Sequence, residues 1–313
     1  MARGKAGAGA RAKGIRNKQK RVATFAKFAK QGEKEQKKER KKRQKEAEEL
    51  GEEAAPRKAQ RTLDNTREPD ETVVQPDDAE VAAEDSFDEF AAHFSGSVPP
   101  RTVVTTSPKP SSEMLTFLEE MVTLLPNAEY RKRGAHELKA IVGAAAERGF
   151  TNLLVFSEKN KKCHTLWHVK LPAGPTARYK VSSVVLPAKI RGHGRPTGHR
   201  PELILNNFST RLGHRLGRML ACLFPYDPQF KGRQAVTLHN QRDFVFFRHH
   251  RYVFEEKGEG ARRKVHARLQ ELGPRFTLRL KSLQLGTFDT QHGEYEWKYR
   301  SEFDRKSRTR FHL

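Results

Sequence analysis

The chain has 313 residues, 61 of them Lys or Arg and 38 Asp or Glu, so its formal net charge is +23. Hydrophobic residues make up 35% and charged residues 32%, so part of the chain cannot bury enough apolar surface to fold alone. No run of about 18 apolar residues occurs and the basic N-terminal segment lacks an apolar signal core, which argues against a membrane-spanning or secreted protein. We therefore expect a soluble intracellular protein with a polyanionic partner. Nucleic acid is the first candidate for this partner and an anionic membrane the second.

The charge falls into three blocks. Residues 1–60 carry 20 Lys and Arg against 8 Asp and Glu, residues 61–96 carry 2 against 11, and residues 97–313 carry 39 against 19. We interpret residues 1–60 as a basic, partly helical arm and residues 61–97 as an acidic linker. From 33 to 49 nearly every residue is charged or Gln, which fits either a projecting helix held by i,i+4 charge pairs or a solvated, disordered tail.

Aromatic residues recur at helical spacing near the end of the acidic linker. Phe87, Phe90 and Phe94 would share one face of a helix. Such a stripe either docks on the chain's own domain or binds a partner. Pro99 and Pro100 then mark the start of the folded domain.

The domain, residues 98–290, reads as a mixed α/β fold of two similar halves. The first half, about 98–190, is predicted to hold a strand at 101–107, helices at 111–125 and 136–148, and strands at 152–156, 165–171 and 178–186. After a Gly/Pro/Arg-rich loop the order restarts in the second half, about 201–290, with a strand at 202–206, a helix at 210–224, and strands at 234–238, 244–254 and 276–282. Residues 291–313 form a basic C-terminal tail.

The predicted helix at 210–224 has one apolar face and one basic stripe. The stripe consists of Arg211, His214, Arg215 and Arg218 at spacings of i, i+3, i+4 and i+7. Because like charges at these spacings repel each other, an anionic ligand such as an RNA phosphate would relieve a cost. The alternative is that these residues pair with acids on neighbouring elements, against which the shortage of acids in the domain weighs.

The segment 230–252 interleaves aromatic residues with side chains that suit RNA. Planar groups stack on bases, guanidinium groups match phosphates and amides read base edges. Since about half of a strand's side chains face the core, we expect Phe244, Phe246 and Tyr252 to pack there. The candidate RNA-binding residues of this segment are Arg233, His239, Asn240, Gln241, Arg242, Arg248, His249 and Arg251.

Several motifs in these segments resemble the Brix-domain family. They are residues 201–208 (PELILNNF), 211–214 (RLGH), 223–225 (LFP), 232–234 (GRQ) and 239–243 (HNQRD). Residues 271–280, 286–289, 293–297 and 310–313 are similar to one branch of that family, and the resemblance covers roughly residues 98–313. A charged insertion at 255–268 departs from the pattern, and we interpret it as a highly charged turn.

The resemblance implies a two-half α/β domain similar to the anticodon-binding domain of class II synthetases, with an RNA-binding segment near residues 232–252. It also implies a nucleolar, non-enzymatic assembly factor that binds pre-rRNA of the large (60S) ribosomal subunit and supports its processing. The implied partners are pre-60S proteins, among them a maintenance-of-killer-type assembly factor. The alternative is a protein-interaction adaptor of pre-ribosomes with little direct RNA contact.

Catalytic and metal chemistry find little support in the sequence. The glycines at 192, 194 and 198 lack the spacing of a dinucleotide loop and the Gly-Lys-Ser/Thr ending of a P-loop. Cys163, His164 and His168 have no second ligand pair nearby, and a nuclease would need clustered acids for its metal ions. We therefore expect no enzyme activity, metal, cofactor, small-molecule substrate or membrane.

Overall fold

The computed structural model describes residues 17–50, 62, 65–75, 77–226, 233–257, 264–289, 293–304 and 309–313. The chain divides into two compact units, Met1–Thr62 and Leu63–Leu313.

The first unit contains one long helix, α1, Lys18–Leu50. It begins after Asn17, whose side-chain oxygen accepts hydrogen bonds from the backbone N–H groups of Gln19 and Lys20 at 3.0 and 3.2 Å. The charged stretch 33–49 is thus helical, the first of the two alternatives drawn from the sequence. In the described part of the chain, no helix combines the length and the apolar character that crossing a membrane requires.

The second unit is a mixed α/β domain. Its helices are α2 Ala79–Phe87, α3 Ala91–Phe94, α4 Ser112–Leu124, α5 Leu138–Glu147 and α6 Arg211–Ala221. Its strands are β1 Thr102–Thr106, β2 Ala128–Tyr130, β3 Asn152–Lys159, β4 Lys162–Lys170, β5 Thr176–Val185, β6 Glu202–Asn206, β7 Gln234–Gln241, β8 Phe244–Lys257, β9 Lys264–Glu271, β10 Arg275–Gln284 and β11 Tyr295–Lys298. Short 3₁₀ helices lie at Pro187–Lys189 and Ser301–Asp304.

One sheet runs through both predicted halves in the order β2-β1-β3-β4-β5-β10-β8-β7-β6, with β11 paired to β10 and β9 to β8. Strand β1 is parallel to β2 and β3, and β6 is parallel to β7. The halves meet at the antiparallel pair of β5 and β10, from Val185 opposite Arg275 to Thr176 opposite Gln284. The α/β fold class with two halves is confirmed.

The main core lies on one face of this sheet, which we call the core face. Helices α4 and α6 pack there, and their buried residues join one cluster that spans both halves. Phe276 of β10 stands at its centre, with Phe117 edge-on at 5.6 Å and Phe247 stacked at 4.3 Å between ring centroids. A second cluster on the opposite face is formed by α5 against β1, β3 and β4, with Val142 and Val155 among its members.

The helices and strands predicted from periodicity are present, with three differences. Strand β11 lies in the segment predicted only as a basic C-terminal tail. The short strand β2 had no sequence signal because only three residues form it. The interpretation of residues 255–268 as a charged turn is wrong, because β8 continues to Lys257 and β9 starts at Lys264, so much of this insertion is a β-hairpin.

Parts of the acidic linker and of the C-terminal tail pack on the domain. Phe90 is fully buried, and Phe94 packs against the main core. The shared helical face is wrong for Phe87, which is 91% exposed because helix α2 ends there and α3 starts four residues later. Near the end of the chain Phe311 and Leu313 are buried. The domain boundaries themselves stay predictions.

Candidate nucleic-acid interface

The basic stripe of α6 faces acidic residues of the segment 77–89. Arg211 pairs with Glu80, the imidazole of His214 lies 2.8 Å from a carboxylate oxygen of Asp85, and Arg218 pairs with Asp85 and Asp88. The apolar side of the same helix, which includes Leu216 and Met219, is buried in the main core. Both faces of α6 therefore have partners within the chain.

Arg218 and Arg215 make the most extensive of these contacts. Arg218 donates two hydrogen bonds of 2.8 Å to the two carboxylate oxygens of Asp88, and its guanidinium group lies 4.2 Å from the centre of the Phe94 ring. Arg215 donates two bonds of 2.7 Å to Glu296 and two longer ones to Glu89. Such bidentate pairs are the strongest class of charge-assisted hydrogen bond.

The sequence analysis left two interpretations of the basic stripe, contact with RNA phosphates and pairing with acids on neighbouring elements. The structure shows the second arrangement. The shortage of acids in the domain was the wrong criterion, because most of the partners come from the acidic segment that precedes the domain. RNA contact by Arg211, His214, Arg215 and Arg218 stays a prediction, and it would require exchanging these partners for phosphates.

Successive side chains of β7 and β8 point to opposite faces of the sheet, so the candidate residues of 233–251 are divided between the two faces. Asn240 is buried and donates hydrogen bonds to the carbonyls of Asn207 and Leu313 at 2.8 and 3.0 Å. His249 is also buried, 2.9 Å from the carbonyl of Gly273 and 3.0 Å from Oε1 of Gln234, and burial lowers its pKa. Both side chains hold the fold together on the core face.

Three further arginines of the predicted set lie in different places: Arg242 in a turn, Arg251 between β7 and β9, and Arg233 just before β7. Arg242 and Asp243 form the tight turn between β7 and β8, with φ of 56° and 62°. Arg251 donates to the side-chain oxygen of Gln270 at 2.8 Å, and Arg233 lies over the ring of Phe254 at 5.6 Å.

His239, Gln241 and Arg248 share the opposite face of β7 and β8 with Phe244 and Phe246. The register places His239 beside Phe246, Gln241 beside Phe244 and Arg248 beside Thr237. The prediction that Phe244, Phe246 and Tyr252 pack in the core is wrong, because Val245 and Phe247 occupy the core positions and the three aromatic side chains are half-buried on the other side of β8.

Strands β5 and β10 extend this face with further cations. Arg279 pairs in register with Lys180 and lies 4.9 Å from the centre of the Phe244 ring, while Arg248 lies 5.5 Å from that of Phe246. Arg178, two positions from Lys180, points to the same side. We call the surface formed by Arg178, Lys180, His239, Gln241, Phe244, Phe246, Arg248 and Arg279 the open face.

The open face is accessible to solvent within the second unit. Helices α4 and α6 pack on the core face, and α5 packs on the part of this side formed by β1, β3 and β4. Arg178, Lys180 and Gln241 are exposed, and the other members are half-buried. Two acids at its margin, Glu271 and Glu202, contact Arg275 and Tyr252 respectively.

Sequence reasoning missed Arg178, Lys180 and Arg279. A signal was present, because Arg178 and Lys180 flank Tyr179, and Arg279 stands between Leu278 and Leu280. Charged residues that alternate with apolar ones in a strand indicate one basic face. Chemically the open face offers guanidinium and ammonium groups for phosphates and partly exposed rings for bases.

Comparisons with known proteins place the chain in a family. A family model for the Brix domain matches residues 107–282. Ribosome production factor 1 of Pongo abelii is 46% identical over 300 residues, which cover 96% of this chain and 84% of that protein. The Xenopus laevis protein of the same name is 48% identical and covers 96% and 85%. A solved structure, a probable ribosomal biogenesis protein from Aeropyrum pernix K1, is 15% identical with a TM-score of 0.42 and covers 57% of this chain and 96% of that one.

The family model matches more than half of the chain, and the identities of 46 and 48% extend over almost its whole length. The chain therefore belongs to the Brix-domain family, among the ribosome production factor 1 proteins.

Proposed function

We propose that this protein is a non-catalytic assembly factor that binds pre-rRNA of the large ribosomal subunit through the open face, in the nucleolus. The names of its relatives, ribosome production factor 1, support a role in ribosome biogenesis. The observation that carries the RNA-binding part is the open face, where cations and aromatic rings share one accessible side of four strands.

The chemistry of the open face suits single-stranded or irregular RNA better than a regular duplex. A base stacks on an aromatic ring whatever its identity, and such stacking contributes about 1–3 kcal/mol per base. Arg279 beside Phe244 and Arg248 beside Phe246 place a cation next to each ring, so a phosphate and its base can be held together. From the predicted set the proposal keeps His239, Gln241 and Arg248, and it adds the cations of β5 and β10.

The test is a triple variant of the open face, Lys180→Ala, Arg248→Ala and Arg279→Ala. Affinity for labelled single-stranded fragments of large-subunit pre-rRNA, measured by fluorescence anisotropy, should fall at least tenfold at moderate salt. Since each lost phosphate contact removes released counterions, the slope of log K against log salt should also become shallower by up to about three units.

The matched control removes the same charge elsewhere, with Lys132→Ala, Lys139→Ala and Arg148→Ala near and on α5. All three are exposed and lie outside the open face. This control should change affinity by less than twofold. Equal losses in the two triple variants would mean that overall charge, rather than the open face, governs binding and would refute the proposed site.

The adaptor alternative is tested in cells by crosslinking the tagged protein and sequencing the bound RNA together with the bound proteins. The proposed function requires crosslinks to large-subunit pre-rRNA, together with pre-60S proteins such as the maintenance-of-killer-type factor expected from the family. Protein crosslinks without RNA would favour the adaptor. Fluorescence microscopy of the tagged protein should show nucleolar signal.

A further inference from the structure

The sheet splits within its first half, between β4 and β5, and the split leaves two strand edges without a pairing strand in the described structure. Strand β4 pairs with β5 from Val169 only as far as Thr165, which lies opposite Lys180. Beyond that point Lys162 and Cys163 of β4 remain paired to β3, while Val181, Ser182 and Val185 of β5 remain paired to β10. The edges that these two stretches turn toward each other therefore carry backbone donors and acceptors outside any ladder.

A bulge in β5 accompanies the split. Between Ser182 opposite Thr277 and Val185 opposite Arg275, one extra residue is inserted in β5, and Ser183 has a φ of 53°. Bulges bend the strand that contains them and increase its twist. The bend lets β5 follow β10 while β4 follows β3, so β4 and β5 diverge within the first half.

The split opens into a cleft of about 780 Å³. Its apolar walls come from Met114 and Phe117 of α4 and from the half-buried Val184 and Leu186. Largely apolar clefts of a few hundred cubic ångströms with a few polar groups at the rim are typical ligand sites.

Lysines surround this cleft. They are Lys159, Lys161, Lys162, Lys180 and Lys189, with His164 among them, and the lining includes one acid, Glu113, which pairs with Lys189 at 3.0 Å. Lys159 and Lys162 lie directly opposite each other in the β3–β4 hairpin. Like charges at opposed positions are destabilising, so an anionic ligand would relieve an unfavourable interaction already present.

We propose that this cleft binds an extended acidic segment of a partner protein, with alternating acidic and apolar side chains. The two strand edges offer alternate N–H and C=O groups, and an added strand matches both, whereas RNA phosphates can only accept hydrogen bonds. In an extended segment one row of side chains would point to the apolar walls and the other to the lysines.

The protein's own acidic segment shows the same chemistry on another surface. Residues 77–94 cover the basic stripe of α6 with carboxylates and place the fully buried Phe90 beside them. An acidic chain with apolar anchors is therefore a ligand that a lysine-lined apolar surface of this domain can accommodate.

The experiment uses the full-length chain and a fluorescein-labelled Glu-Val octapeptide of strict alternation as the probe. Fluorescence anisotropy should show binding that weakens at least tenfold in Lys159→Glu/Lys162→Glu. This double variant keeps a like-charge pair in the hairpin, so the local repulsion is retained while the sign is reversed. The control Lys132→Glu/Lys139→Glu should change binding by less than twofold.

Two further measurements test the strand-like mode. An octapeptide methylated on alternate backbone nitrogens should bind at least tenfold more weakly, and the parent peptide should slow amide hydrogen exchange at 162–164 and 181–185. Peptide binding that is insensitive to the cleft reversal, or absent altogether, would overturn the proposal. So would a 12-residue oligouridylate that loses affinity in Lys159→Glu/Lys162→Glu while the acidic peptide does not, since the cleft would then be an RNA contact.

Discussion

Neighbouring residues of β7 and β8 have opposite roles because a strand turns successive side chains to opposite faces. Asn240 is buried and hydrogen-bonded, whereas Gln241 is exposed on the open face. The sequence alone does not show which side of β8 faces the core, because apolar residues stand on both sides of the strand at Phe244, Val245, Phe246 and Phe247. RNA contact by this segment stays a prediction from its composition, and which of its side chains face outward depends on the position of the core.

Asn240 and Gln241 form a matched pair for the first prediction. Asn240→Ala leaves the carbonyls of Asn207 and Leu313 without a donor in a buried site, so it should lower the free energy of unfolding by about 1–3 kcal/mol. Gln241→Ala should leave stability unchanged and weaken RNA binding. Urea unfolding and anisotropy on both variants measure this, and an RNA defect in folded Asn240→Ala with none in Gln241→Ala would contradict it.

At the scale of elements, the helix α6 was predictable and its partners were not. Its apolar period and the Thr210 cap, whose hydroxyl accepts a hydrogen bond from the N–H of Gly213 at 2.9 Å, are local features. The acids that pair with its basic face lie far away in the chain, so no spacing rule connects them. Strand β9 was missed for a related reason, because its exposed Val265 and Leu269 alternate with polar residues in a stretch read as charged insertion.

The acidic segment should stabilise the domain most through Asp88. Asp88 and Arg218 are both about one-eighth exposed, so Asp88→Asn removes the closer of the two charge partners of a largely buried guanidinium and should cost about 3 kcal/mol. Glu80→Gln disturbs the exposed pair with Arg211 and should leave the urea midpoint unchanged. Equal urea midpoints for the two variants would show that the Asp88–Arg218 pair contributes no more to stability than the exposed Glu80–Arg211 pair.

At the scale of the whole molecule, the second unit should unfold as one body, because a single cluster and a single sheet join the halves. Trp167 lies in β4 of the first half and Trp297 in β11 beside the second. Trp167→Phe and Trp297→Phe each leave one fluorescent reporter, and both reporters should give the same urea midpoint. Phe276→Ala should lower the free energy of unfolding measured by either reporter by about 3–5 kcal/mol, since Phe276 bridges α4 and β8. Separate midpoints would show that the halves unfold independently.

Stability should fall in acid because two buried histidines resist protonation. Burial, together with the positive charge of Lys170, lowers the pKa of His93 to about 4 and that of His168 to about 3. The unfolded chain takes up these protons near pH 6.5, so stability is complete above that value and declines toward pH 4, by at most about 1.4 kcal/mol per pH unit for each group. His93→Leu should reduce this slope relative to the parent. An unchanged slope between pH 6.5 and 4 would show that His93 does not contribute.

The junction of β5 with β10 also sets an order of events during synthesis. The partner of β5 is translated roughly a hundred residues later, an interval of about 5–20 s at ordinary elongation rates. During that time the nascent first half has an unsatisfied strand edge that could recruit another chain. Charged side chains, lysine above all, are a common protection of such edges against aggregation. Arg178 and Lys180 on β5 would then protect the nascent chain against aggregation before they form part of the open face in the folded domain.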